Sequence, residues 1–192
     1  IDKGEQELIY FDSVLDALSR AETENELAQI RQELIDGGYL KRKKGGKQRL
    51  PKELPPYSFK VADDFTVLVG RNNVQNDKLT LKTAKNYDLW LHTQNFAGSH
   101  TILVSDRREF TNKAIEEAAQ IAAYFSSARE AKKVPVDYTL IKNIHKPVGA
   151  QPGKVIYHVY NHCYVTPKTT EPHQNTPPDP YTNVVFSLLV LL

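Results

Sequence analysis

The chain has 192 residues, 40% of them hydrophobic, and a formal net charge of +2. That balance belongs to a globular protein and excludes a collagen, a disordered tail and a disulfide-rich miniprotein, and the length suits one domain with a small appendage. A single cysteine, Cys163, leaves no internal disulfide and favours a reducing compartment, so a cytoplasmic location is expected. No apolar run reaches the ~20 residues of a membrane helix, and no basic-then-apolar leader opens the sequence. The absence of Met, even at position 1, reads as a piece of a longer protein.

Charge is unevenly spread. Residues 1–40 carry ten acids against three bases, whereas the remainder carries 22 bases against 13 acids. Such asymmetry points to an anionic partner on the basic side. The densest run is Lys41-Arg42-Lys43-Lys44, followed by Lys47, Arg49 and Lys52. It reads either as a solvated linker or as an arm that touches phosphates.

Residues 1–40 predict an antiparallel helical hairpin. Leu8, Phe11, Leu15 and Leu18 recur at alternating spacings of three and four, a coiled-coil seam, and Leu27, Ile30 and Leu34 repeat it after a break. Thr23 followed by Glu26 predicts a capping box at the start of the second helix, and Gly37-Gly38 ends it. Residues 41–57 form a basic linker closing in Leu54-Pro55-Pro56.

From 58 to 167 the pattern turns to short β-rich runs. Strands are expected at 59–62 and 65–69 (a hairpin), 79–83, 88–93, 101–104, 136–144, 155–160 and 164–166. One helix interrupts them, its apolar stripe running Ala114, Ile115, Ala118, Ile121, Ala122, Phe125, with Thr111 or Asn112 as cap. The class is therefore α+β: a helical hairpin, then a small mixed β-sheet domain covered by one α-helix. Residues 168–192 are Pro-rich, ending in nine residues, 184–192, that are apolar except for Ser187. Nine residues are too few to span a bilayer, and no function is assigned to them.

Three groups of residues carry potential chemistry. Gly70-Arg71-Asn72-Asn73-Val74-Gln75-Asn76-Asp77 joins two expected strands and reads as a structural turn or as a recognition loop rich in hydrogen-bonding side chains. In Asp88-Leu89-Trp90-Leu91-His92, alternation sends Leu89 and Leu91 to the core and puts Asp88, Trp90 and His92 on the other face. Trp90 could stack a base there, or pack partly buried with its ring nitrogen on a carboxylate. Gly98-Ser99-His100 with Asp88 supplies the atoms of a hydrolytic triad, but neighbouring Ser and His on a strand face opposite ways and no nucleophile elbow surrounds Ser99. His158, His162 and Cys163 lack the paired cysteines of a zinc site, so no metal or cofactor is expected.

These blocks, in this order, with Val134-Pro135-Val136-Asp137-Tyr138-Thr139 and Pro152-Gly153-Lys154-Val155-Ile156-Tyr157 after them, resemble the NFACT-R domain over about residues 58–167. The hairpin before them resembles the end of the coiled-coil region of the same family, which includes bacterial RqcH proteins, often labelled fibronectin-binding proteins, and eukaryotic NEMF. The resemblance implies a non-enzymatic factor of ribosome-associated quality control. Its expected partners are the obstructed large ribosomal subunit, with its rRNA, and tRNA, and its expected role is promotion of C-terminal alanine tailing. It further implies RNA-face roles for Arg71, Asn72, Asn73, Asn76, Asp77, Trp90, His92, Ser99 and His100, with Lys132, Lys133, Lys142 and Lys146 as backbone contacts. The family's N-terminal and helix–hairpin–helix segments have no counterpart here. The rival reading is a cell-surface adhesin domain that binds fibronectin.

Overall fold

The computed structural model describes residues 3–42 and 50–169. Lys43, Lys44, Lys47 and Arg49 of the basic run, and the Pro-rich, apolar-ended tail from 170 on, lie outside the described residues. Helices α1 (Lys3–Arg20) and α2 (Glu24–Asp36) open the chain. The turn between them is fixed by the expected capping box: Thr23 Oγ1 accepts from Glu26 N at 3.2 Å, and Thr23 N donates back to Glu26 Oε2 at 3.0 Å. Gly38 closes α2 at φ +80°, a conformation that side chains resist.

The seam differs from expectation. Leu8 and Leu15 are 67% and 62% exposed, while the helices close on Tyr10, Val14 and Ala17 against Ile30, with Leu34 and Tyr39 alongside. The neighbouring stripe wins because α1 has two surfaces to satisfy. The side bearing Tyr10, Ser13 and Asp16 meets both α2 and the sheet domain, where these side chains find Glu33, Asn73 and Arg129.

Strands β1 (Tyr57–Val61) and β2 (Phe65–Val69) form the expected hairpin. They join β3 (Leu89–Thr93), β4 (Thr101–Val104), β5 (Val134–Leu140) and β6 (Asn161–Val165) in a six-stranded sheet of order β1-β2-β4-β3-β5-β6. Every pairing is antiparallel, so the sheet expected as mixed has one sense of pairing throughout. Between β2 and β3 the chain makes a short helix, α3 (Asn73–Lys78), and a π-helical turn (Leu79–Thr83) where a strand was expected. Asn72 nucleates this turn as an N-cap, accepting from Gln75 N at 2.9 Å. Residues 155–160 likewise form no strand, making only an isolated bridge between Ile156 and His145.

One face of the sheet is covered by α4 (Asn112–Tyr124), capped by Thr111. Its fully buried Ala114, Ala118, Ala119 and Ala122 let the helix lie close over Val67, Val69, Leu89, Leu91, Leu103 and Val136. The opposite face carries a second core of Leu79, Trp90, Ile102, Ile141 and Ile144, roofed by Val155 and Tyr157. The sheet is thus buried on both sides, by a helix on one and by the π turn and the 141–157 segment on the other. No helix among the described residues is long and apolar enough to cross a membrane.

Candidate functional site

The loop opening α3 faces the helical pair. Arg71 Nη1 donates to Glu26 Oε1 at 2.6 Å, and its guanidinium lies 3.6 Å from the centre of the Tyr57 ring. Asn72 Nδ2 donates to Gln29 at 2.9 Å, and Asn73 Nδ2 donates to Ser13 at 2.9 Å and to Glu33 at 3.0 Å. Burial pushes the Glu26 carboxyl up, but the hydrogen bonds from Arg71, the Glu22 amide and Thr23, with the Arg71 charge, outweigh it and hold it below the usual range. Glu33 is raised, because burial exceeds what Asn73 and Tyr10 return. Arg71, Asn72 and Asn73 thus form a clasp between helices and sheet.

Asn76, Asp77, Ser99 and His100 form a second internal network. A Cβ at Gly70 would sit 2.0 Å from Asn76 Oδ1, so glycine is required there. Asn76 Oδ1 accepts from His100 N at 3.1 Å, and Ser99 Oγ donates to Gly70 O at 2.6 Å rather than to a histidine. His100 Nε2 donates to Gly153 O at 3.0 Å, and Nδ1 meets Thr80 Oγ1 at 2.7 Å. Burial and the neighbouring His92 push its pKa down to about 3. Asp77 accepts from Gly153 N at 3.1 Å and pairs with Lys146 at 2.8 Å. These residues lock α3 and the 150–154 turn to the sheet.

Trp90 and His92 share the face that alternation assigned them, but that face is roofed. Trp90 is 1% exposed, its ring stacked on His92 (5.6 Å, 10°) and tilted against Tyr157 (5.0 Å). Stacking on an outside base is closed to the buried indole, which corrects the surface role assigned to Trp90. His92 is half-buried, with Nδ1 2.8 Å from Thr93 O and Nε2 3.2 Å from Gly98 O, and burial lowers its pKa. Both rings line a cleft of about 670 Å³ between α1 and the sheet, alongside Ser13, Asp137, Lys154 and Tyr160. Asp88 is structural, accepting from Lys85 N at 2.7 Å and Ser105 N at 3.0 Å.

Lys132, Lys133 and Lys142 are exposed, as backbone contact requires. Lys146 is partly buried and committed to Asp77. Sequence reading missed the aromatic partners of this basic edge. Tyr164 on β6 is 57% exposed, with Lys133 Nζ 4.8 Å from its ring centre and His162 5.9 Å away edge-on. The alternation His162, Tyr164 along an edge strand was the available signal, obscured by starting the strand at 164. Among the described residues no three His, Cys, Asp or Glu side chains gather as metal ligands; Cys163 points at Val136 O.

Comparison with known proteins agrees with this architecture. Residues 56–159 match the NFACT protein RNA binding domain, and residues 1–53 match the NFACT N-terminal and middle domains. The chain is 41% identical over 166 residues to the Rqc2 homolog RqcH of Bacillus subtilis, covering 85% of this chain and 29% of that protein. It is 39% identical over 168 residues to the Rqc2 homolog RqcH of Streptococcus suis, covering 87% and 30%. The solved C-terminal part of the fibronectin/fibrinogen-binding protein from Streptococcus suis superposes with a TM-score of 0.79 at 38% identity, covering 85% of this chain and 65% of that one. The chain thus spans less than a third of the length of the curated relatives it matches. With the family's RNA binding domain matched over more than half of the chain and its N-terminal and middle domains matched over the helices, the chain belongs to the NFACT family.

Proposed function

We propose that this chain is the RNA-binding part of a ribosome-associated quality-control factor. In that reading the whole protein binds large ribosomal subunits obstructed by peptidyl-tRNA, recruits tRNA and promotes untemplated alanine tailing in the cytoplasm. Peptide transfer belongs to the ribosome, so the chain acts by binding and carries no catalytic residue.

The observation that carries the reading is the basic, aromatic edge of the sheet in a domain matching an RNA binding family. Lys133 lies beside the ring of Tyr164, with the exposed Lys132 next to it in sequence, combining phosphate-directed charge with a stacking surface, the pairing that single-stranded RNA sites use. Binding of this chain to tRNA, to large subunits and to fibronectin across a salt series tests it. Salt-sensitive binding to RNA or subunits supports the reading. Fibronectin binding with no RNA binding overturns it.

A further inference from the structure

Three loops meet at the end of the sheet where β4 and β5 finish and β3 begins. Asp88, 2% exposed, holds two of them, its carboxylate accepting from Lys85 N at 2.7 Å and from Ser105 N at 3.0 Å. Its backbone carbonyl holds the third, accepting from Ile141 N at 3.0 Å, and Lys142 N donates to Asn86 O at 3.3 Å. Residues 84–87, 105–108 and 141–143 are thus fixed on one another around a buried carboxylate. Each loop presents an exposed base, Lys85, Arg107 and Lys142. Among the described residues none of these three side chains is in an ion pair.

Arg107 stands where its backbone favours another residue. Asp106 (φ 48°) and Arg107 (φ 62°) are the central pair of a turn closed by Arg108 N on Ser105 O at 2.9 Å, with the φ signs of a type I′ turn. Aspartate suits the first of these positions, but the second strongly favours glycine, because a Cβ is crowded in the left-handed region. An arginine held there at an exposed tip, with no internal bond to repay the strain, points to a contact made outside the molecule. Tyr87, 44% exposed, shares with Arg107 and Arg108 the lining of an open depression of about 490 Å³. Arg108 is committed to the fold, with Nη1 donating to Asp63 O at 2.8 Å and the guanidinium 3.9 Å from the centre of the Phe65 ring. Asp106 and Glu109 are the exposed acids of these loops, outnumbered by Lys85, Arg107, Arg108 and Lys142.

Resting on the RNA-binding reading above, we propose that this end of the sheet is a second phosphate-binding face, where Lys85, Arg107 and Lys142 contact the sugar–phosphate backbone of a folded RNA. It is separate from the edge at Lys133 and Tyr164. Strand β5 (Val134–Leu140) runs between Lys133 and Lys142, which sets the two basic ends about 20 Å apart. One RNA that engages both must span some six nucleotides of stacked strand at ~3.4 Å each, so a folded RNA suits the pair better than a short oligonucleotide. Contacts of this kind set register and orientation and carry no base sequence.

The test is tRNA binding by the 192-residue chain over a salt series, for the wild type and for Arg107→Gly combined with Lys85→Ala. Glycine is the residue the turn favours and Lys85 is exposed, so the double variant keeps its melting temperature. The expected result is about tenfold weaker binding at 0.1 M salt, with a log–log slope lower by ~2. Lys142→Ala, which alters no turn, lowers the slope by ~1 on its own. If the wild type binds tRNA and these variants bind with its affinity and slope, the second face is wrong and the RNA reading stands. If the wild type does not bind, the RNA reading fails and the second face falls with it. Large ribosomal subunits and their deproteinised rRNA are titrated alongside. Affinity lost for subunits but kept for both naked RNAs would assign this face to an acidic protein surface and overturn the proposal.

Discussion

Arg71 and Glu26 tie the two parts of this molecule together, Nη1 to Oε1 at 2.6 Å across 45 residues of sequence. Glu26 also accepts from Tyr57 Oη at 3.1 Å and caps its own helix, so one carboxylate fixes the start of α2, the first strand and the α3 loop. The side chains of both ionic partners are largely buried, at 17% and 5% exposure. Breaking such a pair by removing one member costs more than an exposed salt bridge is worth.

Arg71→Ala is therefore expected to destabilise the chain by roughly 2–4 kcal/mol, with a coupling to Glu26→Gln above ~1 kcal/mol in a double-mutant cycle. Urea denaturation of the four proteins provides the check. A single-mutant effect below ~0.5 kcal/mol would place Arg71 at the surface, available to RNA after all.

Trp90→Ala should cost roughly 3–5 kcal/mol, the range for emptying a large aromatic site in a packed core. Thermal melts or denaturant midpoints would show it. If the variant remained as stable as the wild type, the indole would have to lie outside the second core.

Acidification should weaken the fold through His100. Unfolded histidine takes up a proton near pH 6.5, whereas buried His100 resists protonation down to about 3. Between these values the unfolded state binds more protons, so stability present above pH 6.5 is lost as pH falls, by up to ~1.4 kcal/mol per pH unit. His92 is shifted in the same direction by its burial. Imidazole NMR signals should show His100 still neutral at pH 5, and a midpoint near 6.5 would contradict this.

Replacing Lys132 and Lys133 by Ala should leave the fold intact, since both are exposed, and should lower the salt slope of RNA binding by about 1–2. Filter binding at several salt concentrations measures this. An unchanged slope would remove the β5–β6 edge from the interface.

The α+β class, the β1–β2 hairpin, β3, β4 and the alanine-rich α4 were legible because each rests on a local period or cap. The two faces of β3 were legible too, but not what covers them. Alternation shows that Trp90 and Leu91 part company, and cannot show that Leu79, Ile141 and Ile144 return from distant segments to roof the Trp90 side. The same limit explains the asparagine loop. Asn72, Asn73 and Asn76 carry the same hydrogen-bonding groups whether they meet RNA or Gln29, Glu33 and His100, and only tertiary structure supplies the partner. On α1 the heptad reading chose Leu8 and Leu15 over Tyr10 and Val14, because Tyr10 earns burial through a specific bond to Glu33 that no hydropathy pattern records.

The most direct test of the central claim is the affinity of the 192-residue chain for tRNA and for large ribosomal subunits, measured from low to physiological salt. Salt-dependent binding, with log affinity falling linearly as log salt rises by about 0.7–0.9 per phosphate contacted, is the predicted result. Absence of binding to either at low salt would contradict it.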